Sequence, residues 1–228
     1  MNPFILALDT THEFGGMALL DGRKVVEEVL LHSPDGFGHV LFGHLERLLD
    51  RNGRRVDEVE CFAAAAGPGS FTGVRVGLAC IKGLAEATGR KVVTVSNLEA
   101  LAWFGSAPQR GVVLDARRGE IYGAVYDAGG LALCEPVVTQ FPLWLTTLPE
   151  GEVEFISTDF TPFQLALAGT RFEGSRIVTA PRALAAAIGA IAYDRFCDGL
   201  ARDPAEIDAD YIRRPDAELS WKDRFGSE

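Results

Sequence analysis

The sequence is poor in several things that would make a function easy to assign. It holds four cysteines, Cys61, Cys80, Cys134 and Cys197, and no two form a C-x-x-C pair. Cys61 and Cys80 sit among apolar neighbours and read as reduced core thiols, so neither a disulfide framework nor a zinc site finds support. Basic residues are scarce: 22 Lys and Arg against 32 Asp and Glu give a net charge of −10. That balance argues against a chain that holds nucleic acid by itself, because neutralised phosphates drive such binding. It leaves room for a complex in which another subunit supplies the basic surface. Long apolar runs are absent, so no membrane span is expected. The opening MNPFILALDTTHEF has only a short apolar run, no basic leader, and reaches Asp9 at once. It reads as a first strand rather than a signal peptide, and the expected location is cytoplasmic.

What is present suits an α/β protein. With 228 residues, 47% of them hydrophobic, the chain can bury one large core or two small ones. FILALDT, GGMALLD and RKVVEEVLL, with Asp21-Gly22 as a tight turn, predict a three-stranded meander. HVLFGHLERLLDRNG predicts an amphipathic helix with Val40, Leu41, Leu45, Leu48 and Leu49 as its apolar stripe, stopped by Asn52-Gly53. CFAAAA and KVVTV predict strands on either side of a second helix that ends near Thr88-Gly89. Ser96 and Glu99 have the spacing of a capping box, opening a short helix to about Phe104. The first hundred residues therefore read βββαβαβα. GSAPQRG is the best linker candidate. Beyond it VVLDARRGEIYGAVYD predicts strand, turn and strand, and CEPVV a third strand. FPLWLTTL, TPFQLALAG and PRALAAAIGAIAYDRFCDG look helical, with EFIST and SRIVTA as strands between them. The second half would then loosely repeat the first.

The stretch GPGSFTGVRVGLACIKGLA, residues 67–85, invites a phosphate-binding reading. A P-loop needs Lys after its last glycine, and Val74 stands there. A dinucleotide fingerprint needs G-x-G-x-x-G, and Gly69 to Gly73 is one residue too long. A helix N-terminus with Ser70 and Thr72 can still attract an anion. The helix that follows has an apolar stripe of Val74, Leu78, Ile81 and Ala85. Gly73, Gly77, Cys80 and Leu84 lie along one further side, and Ala79 and Gly83 on another. Each helical glycine costs about 1 kcal/mol relative to alanine, so the small residues imply close approach by another element. That element is either part of the same domain or a second chain.

These residues resemble the signature of the TsaB (YeaZ) family. LALDTT at 6–11, DARRGEIYGAVY at 115–126 and DYIRR at 210–214 resemble further family segments in the same order, so the likeness spans nearly the whole chain. The resemblance implies two ribonuclease-H-like lobes of the actin-like (acetate kinase/sugar kinase/Hsp70) fold, at 1–105 and 106–228. It implies a subunit that is not itself catalytic and supports a TsaD-type enzyme in threonylcarbamoyl transfer to tRNA adenosine next to the anticodon. A TsaE-type ATPase would join the pair, and tRNA would be met only indirectly. Carried over by position, the partner interface would involve Phe71, Thr72, Gly73, Arg75, Val76, Gly77, Cys80, Gly83 and Leu84, with Leu41, Leu45 and Leu48 of the preceding helix. On that reading Gly77→Leu would weaken association and leave the fold largely intact. No resident cofactor is implied, although ATP or ADP could sit at the interface of the complex.

The chain departs from the family pattern in one place: PDGFG follows His32-Ser33, where a helix usually begins. The catalytic paralogue's closely spaced histidine pair is not matched. His39 and His44 are five apart, about 140° of helical rotation, and do not share a face. No metal site is expected. Asp9 ends the first strand, where it could help hold magnesium and phosphate or simply form the turn. Asp115, Arg117, Arg118 and Glu120 crowd one turn. They form either a surface ion-pair cluster or, with Asp9 and Ser70, a partner or nucleotide surface. Two rival readings stay open: an actin-like phosphotransferase or glycoprotease-related peptidase, and a homodimer that uses the same helix on itself.

Overall fold

The structure is a computed structural model that describes residues 2–210 and 212. Its first sheet begins with the expected meander, β1 (Phe4–Asp9), β2 (Phe14–Asp21) and β3 (Lys24–His32), paired antiparallel. Helix α1 (Leu41–Arg51), strand β4 (Cys61–Ala65), helix α2 (Phe71–Thr88), strand β5 (Lys91–Val95) and helix α3 (Asn97–Ala102) follow. β4 pairs parallel with β1, and β5 with β4, giving the order β3-β2-β1-β4-β5. The second half repeats this plan with β6 (Gln109–Arg117), β7 (Glu120–Asp127), β8 (Ala132–Thr139), α4 (Phe141–Leu145), β9 (Glu154–Ser157), β10 (Ile177–Thr179) and α5 (Ala185–Cys197). Its order is β10-β9-β6-β7-β8, so both sheets follow one topology: an antiparallel meander extended by two parallel strands.

The layers follow from the period-2 alternation of the central strands. Leu6, Leu8, Met17, Leu19, Phe62 and Ala64 face one way, under Leu41, Leu45, Leu48 and Leu49 of α1 and Val74, Leu78 and Ile81 of α2. Ile5, Ala7, Ala18, Leu20 and Ala63 face the other way, into a core shared with α3, α5 and the second sheet's Val112, Leu114, Ala124 and Ile156. The far side of the second sheet, Val113, Ile121, Val125 and Phe155, lies under Phe141, Trp144, Phe160 and Phe172. The stack is thus helices, sheet, helices, sheet, and an aromatic cap.

Local signals account for the helix ends. Ser70 Oγ accepts from Gly73 N at 3.3 Å and caps α2, and Gly89 closes it at φ 65°. Asn52 folds back on α1, its Nδ2 donating to Leu48 O at 2.8 Å.

Three expectations need correction, and a fourth lies mostly outside the described residues. Helix α5 and the segment after it return to the first sheet: α5 packs on β1, β2, β4 and β5, Arg202 bridges to Val92, and Asp210 N donates to Ala66 O at 2.8 Å. A single cut at residues 105/106 therefore does not separate the lobes, and the chain crosses between them twice. TPFQLALAG forms only a single 3-10 turn, Gln164–Leu167. The Ser96–Glu99 capping box is half made. Ser96 Oγ accepts from Leu98 N, but the Glu99 carboxylate takes two 2.7 Å bonds from Arg195 of α5 instead. Of the DYIRR segment, Tyr211, Arg213 and Arg214 lie outside the described residues.

Candidate functional site

Two surfaces qualify, the outer face of α2 and the cleft between the lobes. The helix sorts its residues differently from the sequence reading. Gly73 and Gly77 face inward, onto the turn that ends β1. A Cβ on Gly73 would collide with the Thr10 carbonyl oxygen, and one on Gly77 would come within 2.5 Å of Thr10 Oγ1. Thr10 Oγ1 donates to Gly73 O at 2.7 Å, locking strand end and helix together. Cys80 is buried in the same core, as are Leu41, Leu45 and Leu48 of α1. These six positions are therefore internal packing, and the close approach that the glycines implied is made by the chain's own Thr10.

What remains outward is a different stripe. Thr72, Ala79 and Gly83 are exposed, Val76 is half-buried, and their 4-3-4 spacing puts them on one face. A Cβ on Gly83 would meet nothing within 4 Å. Phe71, one residue before the stripe and on the cleft wall, is 42% exposed, with the Arg75 guanidinium 3.7 Å above its ring. On α1, whose Leu45 shares a small apolar gap with Cys80 and Leu84 of α2, Phe42 is 60% exposed. Of the interface residues expected from sequence, Phe71, Thr72, Arg75 and Gly83 are exposed, and Val76 and Leu84 are half-buried against the core.

The cleft is a cavity of about 680 Å³. Asp9, Ser70, Asp115, Arg117 and Arg118 all line it, so the fold gathers most of the second set of expected residues; Glu120, paired opposite Arg117, is not on its wall. Among the described residues its charges are Asp9, Glu13, Asp115, Asp159 and Asp210 against Arg117, Arg118 and Arg182, and no lysine of theirs lines it. A polyphosphate would face more like charge than opposite there.

Asp9 is not free for a ligand. It is 1% exposed, and it accepts from Thr11 N at 2.9 Å, Thr11 Oγ1 at 2.7 Å and Asn97 Nδ2 at 3.2 Å. This is the turn-forming role. The single Thr11 hydroxyl proton goes to Asp9, so His12, 2.9 Å from the same oxygen, is assigned as donor through Nδ1. Burial holds the His12 imidazole below its ordinary range, against the pull of Asp9. Arg117 and Arg118 both adopt left-handed backbone, φ 64° and 58°, in the tight β6–β7 turn. Arg117 N donates to Asp115 Oδ1 at 2.8 Å, while its guanidinium stays 4.0 Å from that carboxylate in an exposed pair worth little. Among the described residues no three His, Cys, Asp or Glu side chains could hold a metal ion together. No helix among them is long and apolar enough to cross a membrane.

Sequence reasoning passed over Thr10, His12, Asp159 and Arg182. Only Thr10 left a trace, as a threonine at a strand end facing a helix with two glycines four apart.

Residues 39–198 match the model of the family described as "TsaD: tRNA N6-adenosine threonylcarbamoyltransferase". The tRNA threonylcarbamoyladenosine biosynthesis protein TsaB of Bacillus subtilis is 28% identical over 231 residues, 95% of this chain and 97% of that protein. The chain belongs to the TsaD family, in its TsaB (YeaZ) group. The structure of YeaZ from Pseudomonas aeruginosa superposes with a TM-score of 0.78 at 22% identity, covering 92% of this chain and 99% of that one. A ROK hexokinase from Thermus thermophilus follows the same two-lobed plan at a TM-score of 0.51 and 15% identity, over 86% of this chain and 100% of that one. The actin-like fold expected of a TsaB-type chain is the one seen. The family model begins just ahead of α1 and ends just after α5, so it takes in α2, the cleft loop at 115–118 and both interlobe crossings.

Proposed function

We propose that this chain is the non-catalytic subunit of a tRNA threonylcarbamoyladenosine-forming complex, binding a TsaD-type enzyme through the outward face of α2 with Phe42 of α1 beside it. The observation that carries the reading is the division of α2. Its inner side is filled by Thr10 and the first core, while its outer side offers exposed Thr72, Ala79 and Gly83, with half-buried Val76 between them packed partly on the core; among the described residues a Cβ on Gly83 would meet nothing within 4 Å. A helix so stripped of bulk lets a partner helix come close, and Phe71 and Phe42 supply apolar area at its edges. Catalytic silence is supported by the cleft: Asp9 is spent on its own turn, and among the described residues the walls carry more carboxylate than guanidinium and hold no nucleophile–base pair. The complex works in the cytoplasm, a TsaE-type ATPase joins it, and any nucleotide belongs to the interface of the complex rather than to the lone chain. In the absence of the enzyme the same face self-pairs into a homodimer.

Size exclusion with light scattering tests this, on the chain alone and mixed with the TsaD-type protein of the same organism. A one-to-one heterodimer is expected, lost in Gly83→Leu and kept in the exposed-site control Glu152→Ala. A chain that ignores the enzyme, or that hydrolyses ATP above an Asp9→Ala control, returns the question to the phosphotransferase or peptidase reading.

A further inference from the structure

We infer that the hinge between the lobes is locked, so that the cleft has one fixed width and the chain acts as a rigid body. The inference rests on how the two interlobe crossings are held and is independent of which partner binds α2.

The first crossing runs from the end of α3 to the start of β6. Glu154 of β9, 2% exposed, grips it from the second lobe. Its Oε2 accepts from Ser106 N at 2.7 Å and Ala107 N at 3.2 Å. Its Oε1 accepts from Ser106 Oγ at 3.4 Å and lies 3.0 Å from the Arg176 guanidinium, which also donates to Ser106 Oγ at 2.7 Å. Arg110 of β6 takes the carbonyls: it donates to Ala107 O and to Ala102 O, both at 3.1 Å. Gly105 is wedged beneath them, since a Cβ there would lie 2.5 Å from Ile156 Cδ1 and 2.8 Å from Glu154 Oε2. Backbone donors and acceptors at both ends of the linker are thus held by side chains of the second lobe.

The second crossing leads from β10 into α5. Ala180 N donates to Ser157 O at 2.9 Å, and Ala180 and Leu184 are buried in the shared core. Arg182 lies 4.3 Å over the Phe14 ring of the first lobe. Glu28 of β3 then accepts from Ala186 N at 2.7 Å, fastening the start of α5 to the first sheet. Between the crossings, Arg195 of α5 grips Glu99 of α3 with both carboxylate oxygens and donates to Thr94 O at 2.8 Å.

A closing enzyme needs a few residues free to absorb a change in φ and ψ. Here rotation about the first crossing would pull Ser106 and Ala107 from the nearly inaccessible Glu154 carboxylate and Ala102 O from Arg110, leaving Glu154 only its Arg176 contact, and rotation about the second would break the Glu28 bond to Ala186 N. A fixed cleft suits a chain whose working surface is the helix outside it.

Distance measurement between spin labels tests the lock in the full chain. Labels go on Asp35→Cys and Thr161→Cys, exposed sites on opposite lobes, with exposed Cys134 and Cys197 replaced by serine. Cys61 and Cys80 can stay, because burial pushes their thiols up to about 12 and about 11 and leaves them unreactive. The expected result is one narrow distance, unmoved by saturating MgATP, which widens about twofold in Glu154→Ala and in Arg176→Ala. A broad or two-peaked distribution in the parent, or a shift with MgATP, would overturn the inference. So would a folded Arg176→Ala or Glu154→Ala chain whose distance stays narrow. Should Glu154→Ala fail to fold, Arg176→Ala decides alone, since its guanidinium is 68% exposed and its loss leaves no cavity.

Discussion

The two lobes have the same strand order and opposite outer faces. In the first lobe, the connection between the parallel strands β4 and β5 is the eighteen-residue helix α2. In the second, the equivalent stretch between β9 and β10 contains only a 3-10 turn, and the sheet is sealed by rings: Phe155 meets Phe141, Trp144, Phe160 and Phe172 at centroid distances between 5.4 and 6.2 Å. Aromatic side chains fill volume quickly, so few residues close that face. The first lobe closes the same kind of face with aliphatic side chains of α1 and α2, leaving a helix whose far side can be given to something else. The same strand order occurs twice, and the choice of cover decides which sheet is left with the helix face proposed for recognition.

The largest test of that contrast is Phe155→Ala. Phe155 is fully buried, and its loss should cost about 4 kcal/mol. For a chain of this length that lowers Tm by roughly 10 °C, measured by differential scanning calorimetry. Binding of the TsaD-type enzyme, measured well below the new Tm, should be unchanged. If affinity falls as well, the second lobe is part of the interface and the division drawn here is wrong.

Next in size is the inner side of α2. Gly73→Ala should destabilise by about 2 kcal/mol, because the added methyl meets a backbone oxygen that cannot rotate away. Gly77→Leu should behave similarly by displacing Thr10 and breaking its bond to Gly73 O. Both are expected as Tm losses in the isolated chain, whereas the sequence pattern suggested a pure binding defect for Gly77→Leu. A Gly77→Leu chain with unchanged Tm would place Gly77 on a binding face instead of against Thr10.

Gly83→Leu reverses the signature. Its site is open, so Tm should move by no more than about 2 °C, consistent with a surface substitution. Enzyme affinity should drop at least about tenfold, near 1.4 kcal/mol, read by isothermal titration calorimetry. Equal affinity for parent and variant would move the contact away from the Thr72–Gly83 stripe.

These pairs also show what the sequence could reveal. The strands of both meanders, α1, α2 and the glycine that ends α2 were legible, because alternation, leucine spacing and caps are local. The small residues of α2 were legible as a reason for close approach. Which approach each served was not, because Thr10 lies sixty-three residues before Gly73 and contact at that separation leaves no local pattern. The same holds for Glu99, whose capping role was reasonable until Arg195, ninety-six residues later, took its carboxylate. The destination of α5 was hidden for a related reason: Ala, Ile and Gly on nearly every side fit either sheet, and only the fold shows that it packs on the first. TPFQLALAG had helical composition but runs between short strands whose outer face the phenylalanines already cover.

The smallest expected effect concerns the stitch between that returning helix and the first lobe. Glu28 accepts from Ala186 N at the start of α5, yet burial outweighs this bond and raises its carboxyl above the ordinary carboxylate range. A raised folded-state value means that the group's stabilising contribution is complete below the unfolded value and is lost as pH rises through the folded one. The ionised form of Glu28, favoured as pH rises, is therefore a mild liability. Glu28→Gln keeps a carbonyl to accept from Ala186 N and removes the partly desolvated charge. It should gain under about 1 kcal/mol at neutral pH and flatten the decline of Tm between acidic and neutral conditions. Loss of stability at neutral pH would mean that the negative charge at the α5 N-terminus matters more than its desolvation, and that electrostatics as well as packing holds α5 on the first sheet.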